Sequence, residues 1–192
     1  MRLLVLNNKN TNNINDFINS WSKLYFYPNG ALYKASISKI ILTKTDIQNL
    51  YGWKNGMRLS KQKQKSLDTK VKTKLSIINA LKNGANFDVG LFSKEFNNLS
   101  AVWKIFLLHI IKPSKYPIYD QHIHRTFLFI HKEDWSYISS TSINNKAKEE
   151  FYFKRYLPFI QSQNIKDLKQ LDEAFFAFGQ FLNTRNYAKL FD

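Results

Sequence analysis

Cysteine is absent from the 192 residues of this chain. Without a thiol, the chain forms no disulfide bond and offers no ligand for a thiolate zinc site or an iron–sulfur cluster. The absence is compatible with a reducing compartment.

Long apolar runs are missing as well. No run reaches the roughly 18 residues that a membrane span requires. The apolar run in the opening MRLLVLNNKN is also too short for a secretory signal. Apolar residues still make up 44% of the chain and aromatic residues 16%, which excludes a disordered polypeptide. We therefore predict one folded domain over residues 1–192, with an N-terminal lobe of residues 1–58 and a helical core of residues 59–192.

Acidic residues are scarce: 14 Asp and Glu stand against 29 Lys and Arg, for a net charge of +15. Such a balance indicates a polyanionic partner, and nucleic acid is the first expectation. An AT-rich genome would also enrich Lys, Asn and Ile, but it gives no reason for acids to be half as frequent as bases. An anionic membrane surface is a further alternative, although no predicted helix sets a basic face against a lipid-like one. We expect a cytoplasmic, nucleoid-associated protein.

Apolar residues recur at helical spacing over most of the chain, which predicts an all-α or mostly α fold. Residues 31–42 alternate and fit either a strand or a short helix. Residues 60–83 predict one long basic helix whose lysines either face solvent or contact phosphates.

The central stretch, Leu99–His131, predicts two helices joined by a short crossing. Ser100 caps the first helix and Pro113 ends it. Pro117 keeps the approach to the second helix extended, and Asp120 occupies the N-cap position of that helix. The crossing therefore predicts one lysine, Lys104, and one carboxylate, Asp120, on two adjacent helices.

The segment YPIYDQHIHR, residues 116–125, together with the preceding Lys104, resembles the helix-hairpin-helix superfamily of base-excision DNA glycosylases. It is most similar to the compact branch with the 8-oxoguanine-glycosylase fold. Residues 53–56 and 171–179 resemble flanking segments of that branch. The resemblance implies a compact helical glycosylase-like fold with a helix-hairpin-helix element, and the lack of cysteine excludes the iron–sulfur members.

The resemblance also implies catalytic roles. Asp120 would stabilise positive charge on the sugar as the base departs, and Lys104 would attack C1′ to form a Schiff base, which adds lyase activity. An ordinary helix cap is the alternative for Asp120. For Lys104 the alternative is a lysine that reaches solvent or binds a phosphate.

The remaining predicted site residues fall into two groups. The predicted nucleic-acid contacts are His122, His124, Arg125, Lys112 and Lys115. The predicted aromatic pocket for a flipped base draws on Trp53, Tyr119, Phe175, Phe176 and Phe178, with core packing as the alternative for each. We predict no cofactor and no metal, and a monomer that binds double-stranded DNA carrying a damaged or modified base.

Two other function classes stay open at this point. The first is a nucleic-acid-binding protein with the same fold and no catalysis. The second is a defence-associated nuclease-type protein, which the shortage of acids around Lys104 and Asp120 disfavours, because metal-dependent nucleases need two or more carboxylates.

Overall fold

The computed structural model describes residues 13–139, 141–163 and 165–184. This part of the chain is mostly helical and contains no β-strand. The α-helices follow in chain order: α1 Ile14–Trp21, α2 Gly30–Ile37, α3 Lys44–Asn55, α4 Lys61–Lys70, α5 Leu75–Asn83, α6 Val89–Glu95, α7 Ala101–Ile111, α8 Gln121–Ile130, α9 Asn145–Phe151, α10 Leu157–Ser162 and α11 Leu168–Leu182. Short 3₁₀ turns cover Ser22–Leu24 and Lys72–Lys74, and a π-helical turn covers Tyr152–Tyr156. No helix in the described ranges has the length and apolar character needed to cross a membrane.

The chain divides into two compact units, which we call the inner unit and the outer unit. The inner unit is the continuous segment Tyr27–Tyr116. The outer unit combines the segments before and after it, Met1–Phe26 and Pro117–Asp192. These limits differ from the predicted boundary near residue 58, and the predicted arrangement of lobe and core stays a prediction.

The outer unit is built around α11, the longest described helix. The ring of Phe178 lies 5.2 Å from that of Phe17 and 4.7 Å from that of Trp21, which packs α1 on α11. The hydroxyl of Thr126 in α8 donates to the Phe175 carbonyl of α11 at 2.6 Å. Edge-to-face aromatic contacts of this kind add to the free energy of apolar burial.

The inner unit is built around α7, in which every side chain from Ile105 to Ile111 is buried. The ring of Trp53 in α3 packs against Tyr33 of α2 at 4.4 Å and against Phe106 of α7 at 5.9 Å. His109 of α7 is 1% exposed. Its Nδ1 lies 2.7 Å from the Tyr116 carbonyl, which can only accept, so in the neutral ring Nε2 accepts from the Tyr33 hydroxyl, also at 2.7 Å.

The structure decides two local predictions. Of the two alternatives for residues 31–42, the structure has the helix, α2, which ends at Ile37. The single helix predicted for residues 60–83 is wrong, because the helical path breaks at Val71 into α4, the 3₁₀ turn and α5. The apolar period runs through the break, since Leu67, Val71 and Ile78 are all buried. Periodicity alone therefore does not show where the axis changes direction.

Candidate active site around Asp120

Asp120 is the N-cap of α8, as predicted. Its Oδ1 accepts from the backbone N–H groups of His122 at 2.9 Å and of Ile123 at 3.1 Å. Such a cap contributes about 1 kcal/mol to helix stability. Asp120 is partly exposed, and the two amides hold its carboxylate in one orientation.

Two buried side chains anchor the extended segment that leads to Asp120. Asp172 of α11, 3% exposed, accepts the backbone N–H of Ile118 on Oδ2 at 2.9 Å. The hydroxyl of Tyr152 donates to the Pro117 carbonyl at 2.8 Å. The backbone immediately before Asp120 is thus fixed by hydrogen bonds from two other elements of the outer unit.

Tyr152 occupies the first position of the π-helical turn, and Tyr156 occupies the last. Both side chains are fully buried. Among the described residues, the Tyr156 hydroxyl has no hydrogen-bond partner, whereas the Tyr152 hydroxyl has the Pro117 carbonyl. The widened turn is therefore tied to the Asp120 approach through Tyr152, and Tyr156 contributes apolar packing.

Gly179 allows the first turn of α8 to lie directly against α11. A Cβ atom built on Gly179 would lie 2.0 Å from the carbonyl oxygen of His122. Real Cβ atoms do not approach a backbone oxygen so closely, so only glycine fits this position without moving α8. The backbone of His122, two residues after Asp120, therefore lies directly against α11.

Arg125, predicted to contact nucleic acid, is buried and 4% exposed. Its Nε and Nη2 donate to the Ile138 carbonyl at 2.9 and 2.5 Å, and its Nη1 donates to His122 Nδ1 at 3.1 Å. Burial lowers the pKa of Arg125, and the negative charge of Asp120 opposes that effect. The guanidinium holds the segment after α8 in place, and its burial removes it from the candidate phosphate contacts.

His124, also predicted to contact nucleic acid, is 4% exposed. Its ring stacks on Phe151 at 3.6 Å, and its Nδ1 lies 2.9 Å from the Tyr119 hydroxyl. Burial lowers the pKa of His124 to about 4, and the positive charge of Arg155 adds to this effect. The imidazole is therefore neutral at pH 7 and cannot reach a phosphate without leaving this packing, so it too stays outside the proposed contacts.

His122 is the partly exposed member of the predicted α8 group. Because an arginine can only donate, His122 Nδ1 is the acceptor towards Arg125, which leaves the proton of the neutral ring on Nε2. The edge of the ring packs against Phe176 at 4.9 Å. His122 keeps the predicted role of a phosphate contact beside Asp120.

The predicted residues of the inner unit occupy α7 and the turn after it. Lys104 lies in the first turn of α7, where its backbone N–H donates to the Ser100 carbonyl at 2.8 Å, and it is partly exposed. The Lys112 ammonium donates to the carbonyls of Lys82 and Gly84 at 2.9 and 3.0 Å, at the end of α5. Lys112 thus neutralises a helix C-terminus. Lys115 is exposed and its ammonium lies 5.5 Å from the Tyr116 ring centroid.

Core packing accounts for four of the five aromatic residues predicted to line a base pocket. Trp53 lies in the core of the inner unit, and Tyr119, Phe175 and Phe178 lie in that of the outer unit. Burial raises the pKa of Tyr119 well above its usual range, and the Asp120 charge adds to that effect. Phe176 is the partly exposed member of the set, and it remains the predicted base-contacting ring.

Sequence inspection missed Tyr152, Asp172 and Gly179 as supports of the site. Asp172 and Gly179 do leave a signal, because a carboxylate beside an apolar stripe and a glycine inside a helix both run against helix-building preferences. Tyr152 leaves none, being one of 10 tyrosines in an aromatic stretch.

Within the described residues, no group of three or more His, Cys, Asp or Glu side chains is placed to hold a metal ion. Comparison with known proteins found no match: no family model matches the chain, and neither a curated protein nor a solved structure is detectably similar to it. The resemblance to the glycosylases therefore remains a prediction from the motif.

Proposed function

We propose that this protein is a DNA glycosylase that excises a damaged or modified base and that Asp120 supplies the catalytic carboxylate. The observation that supports the proposal is that hydrogen bonds fix both the Asp120 carboxylate and the backbone before it. Two backbone amides hold its Oδ1, and the backbone before it is anchored by Asp172 and Tyr152. A carboxylate held in this way needs little rearrangement when charge develops beside it.

The proposed reaction breaks the bond between C1′ of the sugar and the nitrogen of the base. The electron pair of that bond leaves with the base, and the sugar acquires positive charge at C1′ and the ring oxygen. Asp120 stabilises this charge through its negative carboxylate. A water molecule then attacks C1′, and the proton it loses balances the one that the departed base gains, so that the products are a free base and an abasic site.

The resemblance also assigns Lys104 as a nucleophile, which forms a second and separable part of the proposal. In that variant the lysine nitrogen attacks C1′ in place of water. The bond between C1′ and the ring oxygen then breaks, which leaves a hydroxyl at C4′ and joins the opened sugar to Lys104 as a Schiff base. Removal of the C2′ proton then expels the 3′ phosphate by β-elimination. Lys104 is partly exposed in the first turn of α7, as an attacking amine requires.

The first experiment is borohydride trapping and base release on DNA duplexes that contain 8-oxoguanine, uracil, oxidised pyrimidines, hydroxymethyluracil or an abasic site. We expect release of one of these bases, and we expect Asp120→Asn to lower its rate by about a hundredfold or more. Asp167→Asn is the matched control, because Asp167 caps α11 through two backbone amides and has no proposed catalytic role. A borohydride adduct that is lost in Lys104→Ala would support the lyase activity.

A nucleic-acid-binding protein without catalysis is the second candidate, and the distribution of charge favours it. The inner unit contains 16 of the 29 basic residues and only 4 of the 14 acidic residues, for a net charge of +12. Asp120 is not part of that unit. Tight binding to every duplex with no base released from any of them would favour this candidate over the glycosylase.

A further inference from the structure

A cleft of about 900 Å³ lies within the inner unit between α3 and α4. Its lining includes three exposed cations, Arg58, Lys61 and Lys65, and one acid, Asp68. Gly52, Met57 and Leu59 give it an apolar part. Its size falls within the range of ordinary ligand pockets.

The lysines in and just after α4 divide into two groups. Lys63, Lys70, Lys72 and Lys74 all have partners within the inner unit. Lys63 donates to Asn55 Oδ1 at 2.6 Å and Lys70 to the Asn98 carbonyl at 2.9 Å. Lys72 is paired with Asp68 at 2.8 Å and Lys74 with Glu95 at 3.1 Å. These four ammonium groups already have their charge or hydrogen bonds engaged.

Lys61, Lys65 and the nearby Arg58 differ, because no ion pair forms at any of the three within the described ranges. Lys61 and Lys65 are four residues apart on α4 and so share one side of the helix, about 6 Å apart along its axis. That separation is comparable to the distance between successive phosphates of one nucleic-acid strand. The acid of the cleft, Asp68, is already compensated by Lys72.

We propose that this cleft binds the sugar–phosphate backbone of a nucleic acid, with phosphates at Arg58, Lys61 and Lys65 and a sugar against Met57 and Leu59. The net charge of +12 on the inner unit supplies the long-range attraction. The three cations supply the local contacts, since they line the cleft and no ion pair engages them within the described residues. The inference shares with the glycosylase proposal only the choice of a nucleic-acid partner and requires no catalysis.

The test measures the affinity of the full chain for a short undamaged DNA duplex at several salt concentrations, by fluorescence anisotropy. The variant Arg58→Gln/Lys61→Gln/Lys65→Gln removes the three cations of the cleft. The matched control Lys34→Gln/Lys44→Gln/Lys94→Gln removes three exposed lysines of the same unit that do not line the cleft. Both variants lose the same net charge.

Each phosphate contact contributes about 0.9 to the slope of log affinity against log salt. We therefore expect the cleft variant to lower that slope by about 2 to 3 and to bind about tenfold or more weakly at about 50 mM salt. The control variant should lower the slope by less than about 1. Equal changes in the two variants would overturn the proposal, because binding would then follow net charge alone. A weaker affinity with an unchanged slope would overturn it too, since the contacts would not be to phosphates.

Asp68→Asn guards against a loss of binding that reflects damage to the fold. Removing the acid of the cleft also releases Lys72, so we expect this variant to bind more tightly and with a steeper salt slope. Loss of folding cannot produce that gain. Unchanged or weaker binding by Asp68→Asn would contradict the assignment of phosphates to this cleft. The assay uses an undamaged duplex, so the absence of base release in the glycosylase experiment would leave these results unaffected.

Discussion

The inner and outer units differ in net charge. The inner unit has a net charge of +12, and many of its lysines are exposed. The rest of the chain has 13 basic and 10 acidic residues, for a net charge of only +3. Several polar side chains of the outer unit, among them His124, Arg125 and Asp172, are buried and hydrogen-bonded.

This difference separates two tasks that a nucleic-acid enzyme must perform. Exposed cations attract and hold a polyanion at small cost to folding, whereas a catalytic group must be held in one orientation. Buried hydrogen bonds provide that rigidity, since breaking one leaves a polar group without a partner. We therefore assign the phosphate contacts mainly to the inner unit and the catalytic carboxylate to the outer unit.

The largest expected effect tests how closely the helices of the outer unit approach each other. Gly179→Ala should lower the free energy of unfolding by about 3 kcal/mol or more, because the new methyl group would meet the His122 carbonyl of α8. Gly52→Ala in α3 of the inner unit is the control. Its Cβ would meet no atom within 4 Å, so the change should stabilise the helix by about 0.5 to 1 kcal/mol.

Urea denaturation measures both variants. Equal stability of Gly179→Ala and the wild type would show that α8 and α11 can separate easily. The inference that close packing of α8 on α11 holds Asp120 in one position would then be wrong.

A smaller effect tests the burial of His124. Its folded-state pKa of about 4 lies below the unfolded value of about 6.5, so the unfolded chain binds the proton more readily. The stability that the neutral imidazole provides is present above pH 6.5 and is lost as the pH falls towards 4. Between pH 7 and pH 5 the free energy of unfolding should fall by about 2 kcal/mol through this residue.

The measurement compares the wild type with His124→Gln at both pH values. The buried His109 of the inner unit is present in both proteins, so its contribution cancels in the comparison. If the acid-induced loss is the same in the two proteins, His124 is accessible to protons. It would then return to the list of candidate phosphate contacts.

The smallest effect distinguishes two buried tyrosines of the π-helical turn. Tyr152→Phe removes the donor to the Pro117 carbonyl and should cost about 1 to 2 kcal/mol of stability. Tyr156→Phe removes a hydroxyl with no hydrogen-bond partner in the described part of the chain, so its stability should stay within about 0.5 kcal/mol of the wild type.

If the protein is a glycosylase, Tyr152→Phe should also lower kcat more than it raises KM, because it loosens the backbone before Asp120. Tyr156→Phe should leave both constants unchanged. Equal behaviour of the two variants would mean that Tyr152 acts only in packing.

The predictions that succeeded are local ones. The Asp120 cap and the end of α7 before Pro113 follow from residue types at fixed positions, because caps and prolines act within one helical turn. Helical periodicity is also a local pattern, because it depends on residues three and four positions apart, and it indicated the mostly helical fold.

Residue type did not reveal which polar groups are available to a ligand. His124 and Arg125 belong to a motif that suggests DNA contacts, yet both are buried. Lys61 and Lys72 belong to the same basic run, yet of the two only Lys72 forms an ion pair with another described residue. Burial and pairing depend on residues distant in sequence, and no local pattern records them.

The sequence by itself determined the mostly helical fold, the excess of positive charge and the position of Asp120 at a helix start. Only the tertiary structure decided that Asp172 and Tyr152 anchor the approach to Asp120, that Gly179 brings α8 onto α11, and that Arg58, Lys61 and Lys65 line one cleft. The physical reason is the distance along the chain over which each effect acts. Helix formation and capping act over a few residues, whereas burial, desolvation and side-chain pairing are set by which distant segments pack together.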